Sequence, residues 1–422
     1  MTAATATHAT ATQVRAARNL QGYALFAGLL AMAGLPIYIH APKFYVDEYG
    51  VSLAALGTAL FLLRMLDFVQ DPALGWLAGA TRRRRGAAVA LASAVMALAM
   101  VGLFAVTPPI EPLWWFALTL TALFSAFSFL TISFYAQGVQ KAEAMGADGH
   151  VRLAAWRETG SLLGVCLAAA APTGLMLVVD APFTAFAAGF VAAALAAVLA
   201  MRAEWGAGAK IAQDTGFRAV LGDALARRLL LIALLNAMPV AVTSTLFLFF
   251  VESRLQLPGW EGPLLLLFFL SAAVAAPLWG RLAAAYGARR MLLVGMVLAI
   301  VTFAFAATLG PGDGIAFAVI CVASGAALGA DLTLLSAIFA RRMARIAPEA
   351  GAAFGLWAFV TKATLAIAAI VILPLIDRAG FSAGADNPED ALYLLTIFYA
   401  IVPCGLKLGA IALLALTPVE ET

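Results

Sequence analysis

The sequence predicts an all-α membrane protein with twelve transmembrane helices in two six-helix halves. Three observations carry this: twelve apolar stretches long enough to span a bilayer, a longer polar interval between the sixth and the seventh, and a motif that recurs 205 residues later. Hydrophobic residues make up 64% of the chain and charged ones 12%, where a soluble domain carries about 25% charged residues. Mean hydropathy is +0.97. A helix needs about 20 apolar residues to cross the hydrocarbon core. Such stretches lie near 20–41, 53–79, 86–107, 113–138, 153–177, 182–202, 228–252, 262–285, 290–309, 314–340, 353–376 and 391–416.

Residues 1–18 are rich in Ala and Thr, lack an apolar run, and read as a disordered cytoplasmic N-terminus. Arg15 and Arg18 before an apolar run containing Ala31-Met32-Ala33 are reminiscent of a signal peptide. The apolar run continues past that triplet, however, and its removal would leave an odd number of spans. The first half is expected over 19–202, a cytoplasmic central loop over 203–227, the second half over 228–416 and a cytoplasmic tail over 417–422. Lys and Arg in short loops set orientation. They collect on one side: Arg15 and Arg18, Arg82 to Arg85, Lys141 and Arg152, then Arg202, Lys210, Arg218, Arg227 and Arg228, and finally Arg289, Arg290, Arg341, Arg342 and Arg345. Lys43, Arg254 and Arg378 are isolated on the other side. Both termini are expected in the cytoplasm of the cell (inner) membrane.

Span 2 holds the most informative residues. Asp67 and Asp71 lie one turn apart, with Arg64 three residues before Asp67, so all three share a helix face. A carboxylate at mid-bilayer costs about 2.5–3.5 kcal/mol on insertion scales and reads by default as part of an ion or proton pathway. The internal repeat provides a control. Pro72-Ala73-Leu74-Gly75 aligns with Pro277-Leu278-Trp279-Gly280, Gly57 with Gly262, and a basic cluster follows in both copies. At the same offset Asp67 becomes Ala272 and Asp71 becomes Ala276. The fold does not require acids there. A parallel repeat of six-helix halves is the major facilitator layout.

Trp114 and Trp115 open span 4 as interfacial anchors. Span 5 carries Arg157 and Glu158, which point about 100° apart on a helix. Asp331 sits well inside span 10, and a bridge to Lys362 of span 11 or to Arg157 is expected. Lys407 in span 12 is expected to snorkel toward the cytoplasm. Cys166, Cys321 and Cys404 all lie in apolar runs without disulfide or metal spacing, and His8, His40 and His150 form no cluster. No phosphate-cradling glycine loop, no nucleophile–histidine pattern and no zinc spacing occurs. An enzyme and a nucleotide-driven pump are therefore not expected, nor is a cofactor or a nucleic-acid partner. The expected partners are a small-molecule substrate, a coupling cation and membrane lipid, for a monomer.

On these residues the chain resembles the glycoside–pentoside–hexuronide:cation symporters, the melibiose permease-like group of the major facilitator superfamily. The segment 50–86, GVSLAALGTALFLLRMLDFVQDPALGWLAGATRRRRG, resembles that family's helix 2 region without a gap. AFGLWAFVTKATLAIA, 353–368, is similar to its helix 11, and Gly329-Ala330-Asp331 to its helix 10. The resemblance implies a coupling Na⁺, Li⁺ or H⁺ bound by Asp67 and Asp71, with Gln70 at the amide position and Ser128 as the helix 4 hydroxyl. Two carboxylates, an amide oxygen and a hydroxyl are suitable ligands for a hard cation. Arg64, Asp331 and Glu158 are expected to form a charge network.

Substrate recognition departs from the family. Its two sugar-gripping acids align with Ala31 and Thr131, neither of which can accept a pair of sugar hydroxyls as a carboxylate does. The aligned stacking aromatic is Tyr135, and the two cations are Arg157 and Lys362. Cations without the acids are better suited to an anionic solute or a modified glycoside, unless Glu158 and Asp331 neutralise them. The function expected is cation-coupled symport of a small organic solute by alternating access. The alternatives are transport of an amphipathic substrate such as a lysolipid, a siderophore or a peptidoglycan fragment, and a carrier-like assembly factor or sensor.

Overall fold

The computed structural model describes residues 19–205, 216–347, 350–381 and 387–418. The segment 1–18, for which disorder is expected, lies outside the described residues, as do 206–215 of the central loop and 419–422 of the tail. Hydrocarbon supplies no hydrogen-bond partners, so a spanning segment satisfies its backbone internally as a helix. The described residues are helical throughout their long segments. In chain order the helices are α1 (Leu20–Met32), α2 (Leu35–Tyr49), α3 (Leu53–Ala80), α4 (Arg85–Phe104), α5 (Pro112–Ala144), α6 (Gly149–Leu175), α7 (Pro182–Met201) and α8 (Gly216–Gly222). There follow α9 (Ala224–Phe249), α10 (Glu261–Tyr286), α11 (Ala288–Ala306), α12 (Gly314–Ala330), α13 (Ser336–Ile346), α14 (Gly351–Arg378), α15 (Glu389–Thr396) and α16 (Val402–Ala415).

These helices form twelve passes. The first is α1 with α2, the tenth is α12 with α13, and the twelfth is α15 with α16. Among the described residues, nine helices are long and apolar enough to cross a membrane. The passes bearing Asp67 with Asp71 and Arg157 with Glu158 fall outside the nine, as does the broken first pass. The break at Ala33 and Gly34 was not expected from the apolar run 20–41. A proline in the first turn of α2 has no N–H to extend α1. Gly50 then closes α2 at φ 64°, its N–H bonding back to Tyr45 and Val46. Ser52 opens α3 by accepting from the Ala55 N–H at 3.2 Å. Three π-helical stretches interrupt later passes: Phe250–Arg254, Asp331–Leu335 and Ile397–Ile401.

The chain divides into two compact units. The first runs to Val220 and includes Met343–Phe359; the second comprises Leu221–Arg342 and Val360 onward. In the first unit α1 lies against α6 with almost no side chain between them. A Cβ on Gly160 would stand 2.0 Å from the Ala24 carbonyl oxygen, and one on Gly164 2.3 Å from that of Gly28. Small residues permit such close approach in membrane helices, where dispersion rather than water release drives association. Phe26 and Tyr23 of α1 each contact Phe134 of α5, at 5.1 and 5.4 Å. A polar cluster closes one end of this unit. Lys141 pairs with Glu204 at 2.8 Å, Gln137 donates to the Glu204 carbonyl at 2.8 Å, and Arg85 donates to Gln137. Arg85 is thereby buried, unlike the rest of the basic run Arg82 to Arg85.

The second unit repeats the glycine device. Gly325 and Gly329 of α12 face α10, where added Cβ atoms would stand 2.2 Å from the Phe268 carbonyl oxygen and 2.8 Å from that of Ala272. Phe250 stacks on Tyr399 with centroids 4.0 Å apart. Asp223 caps α9 by accepting from the Ala226 N–H at 2.7 Å and pairs with Arg342. The hydrogen bond from Arg342 holds the Asp223 carboxyl below the usual carboxylate range. Its stabilisation is therefore full above the unfolded value of about 3.9 and is lost as pH falls through the depressed value.

Gly160→Ala and Gly164→Ala will each force α1 and α6 apart. The expected cost is the about 1–3 kcal/mol of an overpacked core, read as a lower thermal midpoint of the purified protein. Gly174→Ala in the same helix, where a Cβ meets nothing within 4 Å, is expected to leave the midpoint unchanged or raise it.

Candidate functional site

α3 presents Asp67 and Asp71 to the interior of the first unit. Asp67 is 4% exposed and Asp71 0%. α5 packs against α3 and supplies the hydroxyls. Ser128 Oγ donates to Asp67 Oδ1 at 3.0 Å, and Gln70 Nε2 donates to the same oxygen at 3.2 Å. Ser125 Oγ donates in turn to Gln70 Oε1 at 2.9 Å, fixing which way the amide faces. Asp67, Gln70 and Ser128 are thus in direct contact, with Asp71 one turn along the same face. The repeat-related Ala272 and Ala276 are likewise buried on α10. The two helices present equivalent faces inward, and only one of them is acidic. The side chain of Arg64 lies outside the described residues.

A second cluster joins α5 and α6. Arg157 Nε donates to Glu158 Oε1 at 2.9 Å, and the Tyr135 hydroxyl donates to that same oxygen at 3.1 Å. The Arg157 guanidinium also covers the Tyr135 ring at 3.8 Å from its centroid, a cation–π distance. Neighbours on a helix start about 100° apart, but the long guanidinium side chain bends around to meet the carboxylate, which is the neutralisation by Glu158 that the sequence left open. The cation read as available for an anionic substrate is therefore already paired. Thr131, one turn before Tyr135, is half-buried, and its hydroxyl has no hydrogen-bond partner among the described residues. Ala31 is buried on α1.

The charged residues of the second unit pair differently from expectation. Asp331 bonds to Lys407, and Lys407 Nζ donates to Asn236 Oδ1 at 2.6 Å. Lys407 is 3% exposed. It does not snorkel outward, because an acid and an amide inside the unit solvate it. Asp331 is thereby committed to Lys407 rather than to Lys362, which lies half-buried on α14. Sequence reasoning missed Ser125, Asn236 and the role of Lys407. Ser125 stands three residues from Ser128 on one helix face, and Asn236 is an isolated amide in an apolar run; both were visible signals.

The profile of the MFS/sugar transport protein family matches residues 20–421. The chain belongs to that family. As a member of the MFS/sugar transport protein family it is a multi-pass membrane transporter and not an enzyme. Solved structures share its fold. A bacterial homologue of the iron transporter ferroportin, outward-facing with soaked iron, superposes with a TM-score of 0.68 at 16% identity, covering 94% of this chain and 98% of that one. The E. coli fucose:proton symporter gives 0.60 at 14%, covering 94% and 99%. The proton:xylose symporter bound to 6-bromo-6-deoxy-D-glucose gives 0.62 at 12%, covering 92% and 94%. These likenesses establish the major facilitator fold.

Removing one member of the Arg157–Glu158 pair will leave a buried charge without its partner. Breaking such pairs costs about 3–5 kcal/mol, more than replacing both members. Glu158→Gln and Arg157→Gln are each expected to lower the thermal midpoint in detergent more than the double substitution does. Additive losses would show that the pair is not energetically coupled.

Proposed function

We propose that this family member is a cation-coupled secondary active symporter whose Na⁺ or H⁺ site is built on Asp67 and Asp71. The supporting observation is convergence: a hydroxyl and an amide from two helices meet on one oxygen of a buried carboxylate, with a second buried carboxylate one turn away. Carboxylate and hydroxyl oxygens are suitable ligands for a hard cation, and a close acid pair equally suits proton exchange. Gln70 and Ser128 complete the site, and alternating access couples it to solute movement. No other cofactor enters this reading.

In the same proposal the substrate is a small neutral or modified glycoside. Arg157 is offset by Glu158 and stacked on Tyr135, so this cluster offers a sugar hydrogen-bonding groups and an aromatic face rather than net positive charge. Thr131 Oγ1 adds a buried hydroxyl that has no partner among the described residues. Arg157 and Tyr135, with Thr131, Ala31 and Lys362, remain the substrate-contact candidates.

The test is uptake of labelled neutral sugars and acidic analogues into vesicles, with and without Na⁺ and at two pH values. Asp71→Asn is expected to abolish accumulation against a gradient while the protein still inserts and purifies. Asp67→Asn should weaken cation affinity about tenfold or more, equivalent to about 1.4 kcal/mol, or change ion preference. Concentrative uptake that both variants retain in full would sink the reading.

We place both termini in the cytoplasm of the cell (inner) membrane, from the distribution of Lys and Arg. A reporter fused after Thr422 and a cysteine replacing Arg15 should both report the cytoplasm, and a cysteine at Asp313 should be labelled from outside. Termini on opposite faces would refute this placement.

A further inference from the structure

A hydroxyl within a helix commonly donates back to a carbonyl of its own chain one turn earlier. In α5 Thr119 and Thr121 do so, to the carbonyls of Trp115 and Ala117 at 2.8 and 2.7 Å. Two serines of the same helix donate to α3 instead. Ser128 bonds Asp67 Oδ1 at 3.0 Å, and Ser125 bonds Gln70 Oε1 at 2.9 Å. Ser128 belongs to the cation site proposed above; Ser125 reaches that site through Gln70.

The Gln70 amide is pinned at both ends. Its Nε2 donates to Asp67 Oδ1 at 3.2 Å, and its Oε1 accepts from Ser125. The opposite orientation would set Oε1 against the carboxylate oxygen, lone pair against lone pair. An alkali cation reverses that preference. It is bound by oxygen and repelled by N–H, so Gln70 becomes a ligand only after its amide turns over. The turn brings Nε2 to Ser125. A hydroxyl both donates and accepts. Ser125 is then able to receive the Nε2–H and to return its own proton to the Thr121 carbonyl, the kind of bond that Thr119 and Thr121 already make.

We propose that Ser125 is a positioning residue for an alkali cation and acts through Gln70. It donates to the amide oxygen while Asp67 holds the amide N–H, and it accepts from the amide nitrogen once a cation has drawn the oxygen round. Ser128 makes the matching change, from donor to Asp67 into an oxygen ligand. The site thereby passes from a hydrogen-bonded carboxylate to a coordinated cation by rotating side-chain groups alone. Water takes the place of Ser125 while the site is open to one face of the membrane, but not once the loaded carrier has closed. Losing the hydroxyl therefore weakens the loaded form more. This inference rests on the cation-site reading and deepens it.

The test is the thermal midpoint of the purified full-length protein, titrated with NaCl or LiCl at fixed pH while choline chloride holds ionic strength constant. A saturable rise is expected for the unaltered protein and none for Asp71→Asn. Ser125→Ala should raise the half-saturating Na⁺ concentration about fivefold, as for one neutral hydrogen bond of about 1 kcal/mol. Ser125→Thr, which keeps the hydroxyl, should stay near the unaltered value. Thr121→Ala, which removes a back-bonded hydroxyl from the same helix, should leave it unchanged. Ser125→Cys serves if the alanine variant does not purify as a single species. A half-saturating concentration unmoved by the loss of the Ser125 hydroxyl, or moved equally by Thr121→Ala, would overturn the proposal. So would the lack of any saturable rise in the unaltered protein. A silent Ser125→Ala beside an abolished response in Asp71→Asn removes only this role for Ser125 and leaves the cation site standing. An alkali response that survives both Asp67→Asn and Asp71→Asn overturns the cation-site reading as well.

Discussion

A charge held within a bilayer must bring its own solvent, and the interior of this transporter is organised around that demand. Three buried ionic groups each draw a partner from a neighbouring helix. Asp67 receives Ser128 from α5. Arg157 and Glu158 close on each other beneath Tyr135. Lys407 of α16 is held by Asp331 and by Asn236 of α9. An unpaired ion in hydrocarbon costs several kcal/mol, so these partners dictate which helix faces meet. They also separate two kinds of polar chemistry. Asp67 collects neutral partners, a hydroxyl and an amide. Asp331 and Lys407 collect each other as a fixed ion pair.

The repeat makes this division visible within one chain. The proline of α3 and that of α10 occupy equivalent places in equivalent helices, and the residues facing inward before them are acids in one case and alanines in the other. In the second unit Ala272 and Ala276 let α12 come close through Gly329. Acids there would have to displace a backbone. One sequence motif thus supports two uses of the same helix face, tight apolar contact in the second unit and a polar site in the first.

The architecture was legible because hydrophobic runs and basic loops are local properties of a sequence. The Asp67, Gln70 and Asp71 face was legible for the same reason, since i, i+3 and i, i+4 spacing is enough to assemble it. Side-chain reach and tertiary pairing were not legible. Lys407 near the end of the chain reads as a residue that can escape to the headgroups, and only the placement of Asn236 and Asp331 beside it removes the need. Arg157 and Glu158 point apart by helical geometry, and the length of the guanidinium side chain overrides that. The break between α1 and α2 was signalled by Gly34 and Pro36 but was hidden within a run whose hydropathy alone reads as continuous.

The glycines at helix crossings also decide how the protein can be engineered. Replacing glycine by alanine commonly stabilises a helix by restricting the unfolded chain. That route is closed wherever a carbonyl oxygen of the next helix occupies the position of the new methyl group, as at Gly160, Gly164 and Gly325. It remains open at Gly57, Gly79, Gly189, Gly405 and Gly409, where a Cβ would meet nothing within 4 Å. A thermostabilised form suited to crystallisation or biosensing should therefore be sought by changing the second set together and leaving the first untouched.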